Sequence, residues 1–207
     1  MAKKSCIILM AVCFLTGCLG SQTATVKQTT YYTLEYPPQP AGTPATFPAV
    51  LRMNPLEYPA DPAGRDMIYR SGPYSREAYR YHRWQLPPGE MVQTFLLRDI
   101  RDAKLFQAVL SPEEEGTVQY VLNGLIEQFI EREDQGKFFA DLGISMTLTE
   151  RGSGDKPARI LFQKAYRTSE PLASKAPADL AKGMSAAMAR VSGEVLKDIS
   201  KAVMSDR

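Results

Sequence analysis

The sequence predicts a single α+β domain in which two amphipathic helices pack on one face of an antiparallel sheet. The sheet is indicated by three runs rich in β-branched and aromatic residues, at 117–131, 138–149 and 159–168. The connections between these runs are too short for the crossovers of parallel strands, so we expect consecutive antiparallel strands. The helices are indicated by two segments with apolar residues at helical spacing, which begin near Pro87 and Pro177.

The N-terminal residues carry the pattern of a bacterial export signal. Two lysines precede an apolar run at residues 6–15, which suits a signal peptide and is shorter than the roughly 20 residues of a membrane-spanning helix. The run leads into Leu-Thr-Gly-Cys at residues 15–18, a tetrapeptide that resembles the bacterial lipobox. We therefore expect residues 1–17 to be a lipoprotein signal peptide and Cys18 to become the lipidated N-terminus.

The other two cysteines leave with the signal peptide. Cys6 and Cys13 lie in or beside the apolar run, so the processed chain keeps only Cys18, whose sulfur the lipid would occupy. No thiol then remains for a disulfide, a metal or a nucleophile, as suits an oxidising compartment. Loss of Lys3 and Lys4 lowers the number of Lys and Arg residues from 25 to 23, which equals the 23 Asp and Glu residues. This balance gives no indication of nucleic-acid binding.

A short tether separates the lipid from the domain. Residues 18–30 are mostly small and polar, which predicts a flexible connection to a single domain at 31–207. The residue after Cys18 is Leu19, rather than the Asp that commonly retains lipoproteins in the inner membrane. In a host with two membranes we therefore expect an outer-membrane protein, anchored by its lipid and facing the periplasm.

The first half of the domain contains short strands among prolines. Eight of the fifteen prolines fall at 37–62, and because proline removes a backbone donor this stretch is predicted to be mostly extended connection. Ser71-Gly72-Pro73 predicts a hairpin turn between two of the strands. The predicted short strands are 31–36, 49–53, 67–70, 78–84 and 105–110.

Two helices complete the domain. After Pro87-Pro88-Gly89, apolar residues recur at helical spacing as far as Ala103. The second helix is expected at about 177–204, with Asp179 at the positive end of its dipole and one apolar stripe that packs on the sheet. The solvent side of the first helix is expected to carry Arg98, Asp99, Arg101 and Asp102.

The chain offers little for catalysis or metal binding. His82 is the only histidine, and a single histidine cannot supply a base with its orienting partner or a set of metal ligands. The sequence also lacks the phosphate-binding loop of ATPases and the Gly-x-Ser-x-Gly elbow of hydrolases. We therefore expect a protein that is not an enzyme and that has no cofactor besides the lipid on Cys18.

One segment has an unusual composition. Residues 65–84 contain five arginines and five aromatic residues, the residue types that are enriched in the cores of protein interfaces. We expect a protein–protein contact, with a partner or with a second copy of the chain, that includes Arg70, Tyr79, Arg80, Arg83 and Trp84. Two alternatives remain. The segment could bind lipid headgroups, or it could be an ordinary hairpin whose basic side chains lie in solvent and bind nothing. Trp84 has the further alternative of burial at the entry to the first helix.

The order of these features resembles one family, the ABC-type transport auxiliary lipoproteins, which includes the lipoprotein subunit of the paraquat-inducible intermembrane transport system. The proline-rich stretch at 37–62 departs from the family pattern. The matching features, in chain order, are the lipobox at 15–18, Tyr31-Tyr32-Thr33-Leu34, Ile68-Tyr69-Arg70, Trp84 before a helix, Phe106 with Val109, Tyr120-Val121-Leu122 and the Ala-rich C-terminal helix.

The resemblance implies a non-catalytic accessory subunit. Such lipoproteins work with a permease, a cytoplasmic ATPase and a periplasmic protein with MCE domains, and the assembly moves lipids or other hydrophobic molecules between membranes. The sequence also leaves a second function open, in which the lipoprotein itself holds a hydrophobic ligand in a pocket. This alternative is supported by the run at 117–130, which is apolar on both faces. A cavity should then lie between the sheet and the helices. A third possibility, an envelope hydrolase, has no credible site.

Overall fold

The computed structural model describes residues 27–38, 46–59, 64–152 and 154–205. In these ranges eight strands form one sheet, and two helices pack against it. The strands are β1 (Thr30–Tyr32), β2 (Phe47–Met53), β3 (Asp66–Arg70), β4 (Glu77–Trp84), β5 (Phe106–Leu110), β6 (Tyr120–Asp134), β7 (Lys137–Glu150) and β8 (Arg159–Leu172). The helices are α1 (Pro88–Asp102) and α2 (Pro177–Met204).

The second half of the sheet confirms the predicted strand order. β6, β7 and β8 are consecutive and antiparallel along almost their whole length. Gln135 and Gly136 join β6 to β7 with φ angles of 50° and 75°, as a two-residue turn needs if it is to match the twist of its strands. The alternation on β7 buries Leu142, Ile144 and Met146 in the core.

The prediction of a purely antiparallel sheet was wrong, because the sheet is mixed. β2 is parallel to both β5 and β6, β3 is parallel to β6, and β1 is parallel to β4. β6 pairs with β7 on one edge, whereas its other edge pairs with β2 near its start and with β3 near its end. The short connections of the second half forbid parallel pairing, but the first-half strands reach their partners through much longer connections, which allow it.

Both predicted helices are present, and α2 begins and ends as predicted. Its apolar stripe packs on β7 and β8, while α1 contacts α2 and β5. Gly183 lies where α2 packs closely on the sheet, since a Cβ there would clash with the Leu172 side chain and lie 3.1 Å from the Ala140 Cβ. The two helices and the inner face of the sheet thus share one core.

The segment after β1 leaves the sheet and binds the helices. The predicted strand at 31–36 ends at Tyr32, because the Glu35 N–H donates to the Ser185 hydroxyl of α2 at 2.9 Å rather than to a strand. Leu34 and Tyr36 of this segment are buried in the core that it shares with the helices. The segment therefore acts as a strap across the helix pair.

The strap is held by a carboxylate that we expected on the solvent side of α1. That prediction was wrong, since Asp99 is fully buried. Its carboxylate accepts hydrogen bonds from the Tyr36 hydroxyl at 2.8 Å, the Ser192 hydroxyl at 2.5 Å and the Arg98 guanidinium at 2.7 Å. Burial raises the pKa of Tyr36 above its ordinary value, and the negative charge of Asp99 raises it further. Asp99 thereby links α1, α2 and the strap.

Candidate interaction surface

The predicted site residues lie on a hairpin at one end of the sheet. β3 and β4 are antiparallel and are joined by residues 71–76, where the sequence predicted a turn. β3 also runs parallel to the end of β6, with Tyr69 opposite Glu131. The turn of this β3–β4 hairpin therefore lies at the same end of the sheet as the β6–β7 turn.

Arg70 ties the hairpin to the sheet. Its guanidinium lies 3.3 Å from the Asp141 carboxylate on β7. Asp141 is nearly buried and also binds the Arg132 guanidinium at 2.7 Å and the Ser169 hydroxyl at 2.6 Å. This cluster satisfies the Asp141 carboxylate, so it connects β3, β6, β7 and β8 within the molecule.

Tyr79 binds a buried carboxylate. Its hydroxyl donates to Glu131 at 2.9 Å, and Glu131 has no exposed surface and a second oxygen without a hydrogen-bond partner among the described residues. Burial raises the pKa of Glu131, although the Tyr79 hydrogen bond and the nearby Lys175 ammonium act in the opposite direction. Burial also raises the pKa of Tyr79, and the bond to Glu131 adds to it. Tyr79 thus anchors β4 to β6.

Trp84 and Arg83 also bind inside the chain. Trp84 is 1% exposed and meets Phe129 edge-on, with ring centroids 5.2 Å apart. It therefore packs in the core at the entry to α1. The Arg83 guanidinium pairs with Asp66 at 2.9 Å and donates to the Tyr79 carbonyl at 2.6 Å. Arg83 remains half-buried and braces β4 against β3.

The exposed part of the hairpin is its turn and one adjacent arginine. Arg80 is exposed, with no carboxylate paired to it in the described parts of the chain. Tyr74 is 99% exposed, and Arg76 beside it is exposed and donates only to the neighbouring Ser75 carbonyl. We call Tyr74 and Arg76 the hairpin tip. Both belong to the arginines and aromatic residues noted at 65–84, but the predicted contact did not include them, although their position beside Gly72-Pro73 in a predicted turn was the available signal.

A groove opens beside the hairpin tip. It has a volume of about 570 Å³ and lies between the hairpin and β6. Its lining combines apolar side chains, among them Ile68, Pro73 and Ile130, with the charged residues Arg70, Arg76 and Glu127. Arg70 and Glu127 are paired within the chain, with Asp141 and Arg167, which leaves Arg76 as the free charge among the described residues of the lining. Such a lining suits an amphiphilic anion better than a metal ion, and no cluster of metal-binding side chains occurs among the described residues.

The chain enters the domain beside the same hairpin. Cys18 lies outside the described residues, and the first described residue, Lys27, holds its ammonium 5.3 Å above the Tyr81 ring of β4. β1 then runs parallel to β4, with Thr30 opposite His82. Within the described residues, no helix is both long and apolar enough to cross a membrane.

Comparisons with known proteins agree with this architecture. A DUF330-family protein from Xanthomonas campestris has the same fold, with a TM-score of 0.76, 17% sequence identity, and coverage of 86% of this chain and 98% of that protein. An uncharacterized protein of known structure gives a TM-score of 0.65 at 16% identity and covers 84% of this chain and 99% of its own. No curated protein sequence matches the chain.

The family is established by the sequence itself. The model of the ABC-type transport auxiliary lipoprotein component family matches residues 32–195. This range includes every described element except most of β1 and the last turns of α2. The resemblance seen in the sequence is thereby confirmed, and the chain belongs to the family of ABC-type transport auxiliary lipoprotein components.

Proposed function

We propose that the chain is a lipid-anchored accessory subunit of an ABC transport system that moves lipids or other hydrophobic molecules between membranes. The observation that carries this proposal is the family match over 32–195. The lipobox at 15–18, directly before the tether and the domain, supports an anchor on Cys18. Leu19 after that cysteine supports an outer-membrane position facing the periplasm.

The proposed partners are a permease, a cytoplasmic ATPase and a periplasmic protein with MCE domains. The chain has no phosphate-binding loop of its own, so ATP hydrolysis would belong to the ATPase. The contribution of this subunit would then be binding and positioning, for which a domain with a single core on a short tether is suited.

Affinity capture tests this proposal. We expect the full chain, tagged after Arg207 and extracted from native membranes in a mild detergent, to recover the permease, the ATPase and the MCE-domain protein. A matched control carries residues 1–30 of this chain on an unrelated domain, and it should recover none of them. Elution of the chain without these subunits, from an extract that contains them, would contradict the proposal.

The alternative is a carrier that holds a hydrophobic ligand itself. One groove of about 470 Å³ favours it, between the start of β8 and the end of α2. Ile160, Phe162 and Ala202 line this groove together with charged residues such as Lys164 and Asp198. Ile160 is 62% exposed there. Lipid analysis of the purified chain after extensive detergent washing separates the two functions. A carrier should still hold a stoichiometric hydrophobic ligand, whereas an accessory subunit that only touches the membrane surface should not.

A further inference from the structure

The end of the sheet that carries the hairpin tip has unpaired positive charge. Two of its carboxylates are paired with cations, Glu133 with Lys175 at 2.9 Å and Asp134 with Arg132 at 3.3 Å. Glu77 is exposed and accepts from the Tyr69 hydroxyl at 2.8 Å, which leaves its negative charge without a cation among the described residues. The cations without a carboxylate partner in the described ranges are Arg76, Arg80 and Lys137, and all three are exposed. These three cations outnumber Glu77, the one exposed carboxylate without a cation among the described residues of this end, so this end presents an excess of positive charge beside the exposed Tyr74.

The first described residues lead toward this same end. Because β1 is parallel to β4, residues 27–29 lie on the side of Thr30 that faces the start of β4 and so the hairpin turn. Tyr81, which contacts Lys27, is five strand positions from Arg76, a distance of about 16 Å along an extended chain. Eight residues separate Lys27 from Cys18, so the lipid would lie within about 30 Å of Lys27.

We propose that the hairpin tip, together with Arg80, contacts the surface of the membrane in which the chain is anchored, and that it binds the phosphates of anionic phospholipids there. This inference rests on the lipid anchor of the proposed function. The short tether holds this end of the domain near the membrane surface. The tip then meets a negatively charged, partly apolar layer.

The exposed side chains match the chemistry of that layer. Tyrosine places its ring and hydroxyl at the level of lipid headgroups, where one side is apolar and the other is wet. Arginine binds phosphate with two parallel hydrogen bonds. The groove beside the tip, with Ile68 and Ile130 next to Arg70 and Arg76, offers room for a lipid headgroup and the start of its acyl chain. Trp84, the only tryptophan, is buried in the core and so cannot anchor a protein partner.

A single label tests the contact directly. Once Cys18 is lipidated the chain has no free thiol, so Tyr74→Cys creates one unique site for an environment-sensitive fluorophore. The lipidated protein is reconstituted into vesicles of phosphatidylethanolamine and phosphatidylglycerol, and flotation verifies its attachment. We expect blue-shifted emission and strong quenching by a lipid-borne quencher. Asp155→Cys in the exposed β7–β8 turn, at the opposite end of the sheet, should show neither effect.

Charge variants separate phospholipid binding from mere proximity. In the Tyr74→Cys background, Arg76→Ala with Arg80→Ala should weaken the contact by about fivefold per arginine, because each basic residue near an anionic surface contributes that much. Arg151→Ala, an exposed arginine at the opposite end, should leave it unchanged. Vesicles of phosphatidylcholine alone should reproduce the effect of the double variant.

Three results would overturn the inference. If the protein floats with vesicles but the label at position 74 responds like that at 155, the tip does not touch the membrane. If the label is shielded in native membranes and not in vesicles, the hairpin binds a protein instead. If the protein fails to float at all, the anchor is absent, and the proposed function fails together with this inference.

Discussion

Replacing Asp99 with Ala should lower the free energy of unfolding by about 3 kcal/mol. The variant leaves the Arg98 guanidinium and the hydroxyls of Tyr36 and Ser192 without their common acceptor in the core. Urea unfolding followed by the fluorescence of Trp84 measures the change, because this single, buried tryptophan reports on the core. We expect the midpoint to move to lower urea while the slope stays nearly constant.

The same helix supplies a control for Asp99. Asp102 is exposed in the last turn of α1, so Asp102→Ala should change the free energy of unfolding by no more than about 0.5 kcal/mol. The free energy of unfolding of Asp99→Asn should lie between those of Asp99→Ala and Asp102→Ala. The amide oxygen can still accept from Tyr36 or Ser192, but the charge that binds Arg98 is lost. An Asp99→Ala variant as stable as Asp102→Ala would show that the strap is held by its apolar contacts alone.

The second large effect concerns the anchor. Cys18→Ser should abolish incorporation of a labelled palmitate analogue and leave unprocessed precursor in place of the mature protein. The wild-type protein, with more than one acyl chain, should stay with the membrane in high salt and come off only in detergent, since one acyl chain alone binds marginally.

Cys13→Ser is the matched control for the anchor. It changes a cysteine within the expected signal peptide and should leave labelling and processing unaltered. Label in the Cys18→Ser variant, or loss of label in Cys13→Ser, would contradict the assignment of Cys18 as the lipidated residue.

Local sequence pattern predicted the parts of the fold whose partners are close in the chain. β6, β7 and β8 are neighbours in both sequence and space, so alternation and short turns were sufficient to order them. The parallel pairs join distant residues, such as Tyr32 with Trp84 and Leu51 with Tyr120, and no local pattern encodes such a pairing. The mixed character of the sheet could therefore not be deduced from the runs themselves.

The position of Asp99 and the partners of other polar residues were missed for a related reason. Asp99 was assigned to solvent because of its charge, yet it lies three residues after Leu96 and seven after Val92, which is on the buried stripe of α1. Arg70 and Tyr79 were identified as candidates for a contact, but their partners Asp141 and Glu131 come from distant strands and could not be foreseen. The exposure of Tyr74 depends only on a local turn, so attention to turn position would have found it.

In a host with two membranes, transfer of phospholipid between them tests the central claim most directly. In a pulse-chase experiment with labelled glycerol, a strain without this gene should transfer phospholipid between its membranes more slowly. Its transfer rate should equal that of a strain whose transporter ATPase has lost its phosphate-loop lysine. A strain with both changes should transfer phospholipid no more slowly than either single mutant. Wild-type protein should restore the rate and the Cys18→Ser variant should not. Normal transfer without the gene, or additive slowing in the double mutant, would contradict an accessory role in that transport system.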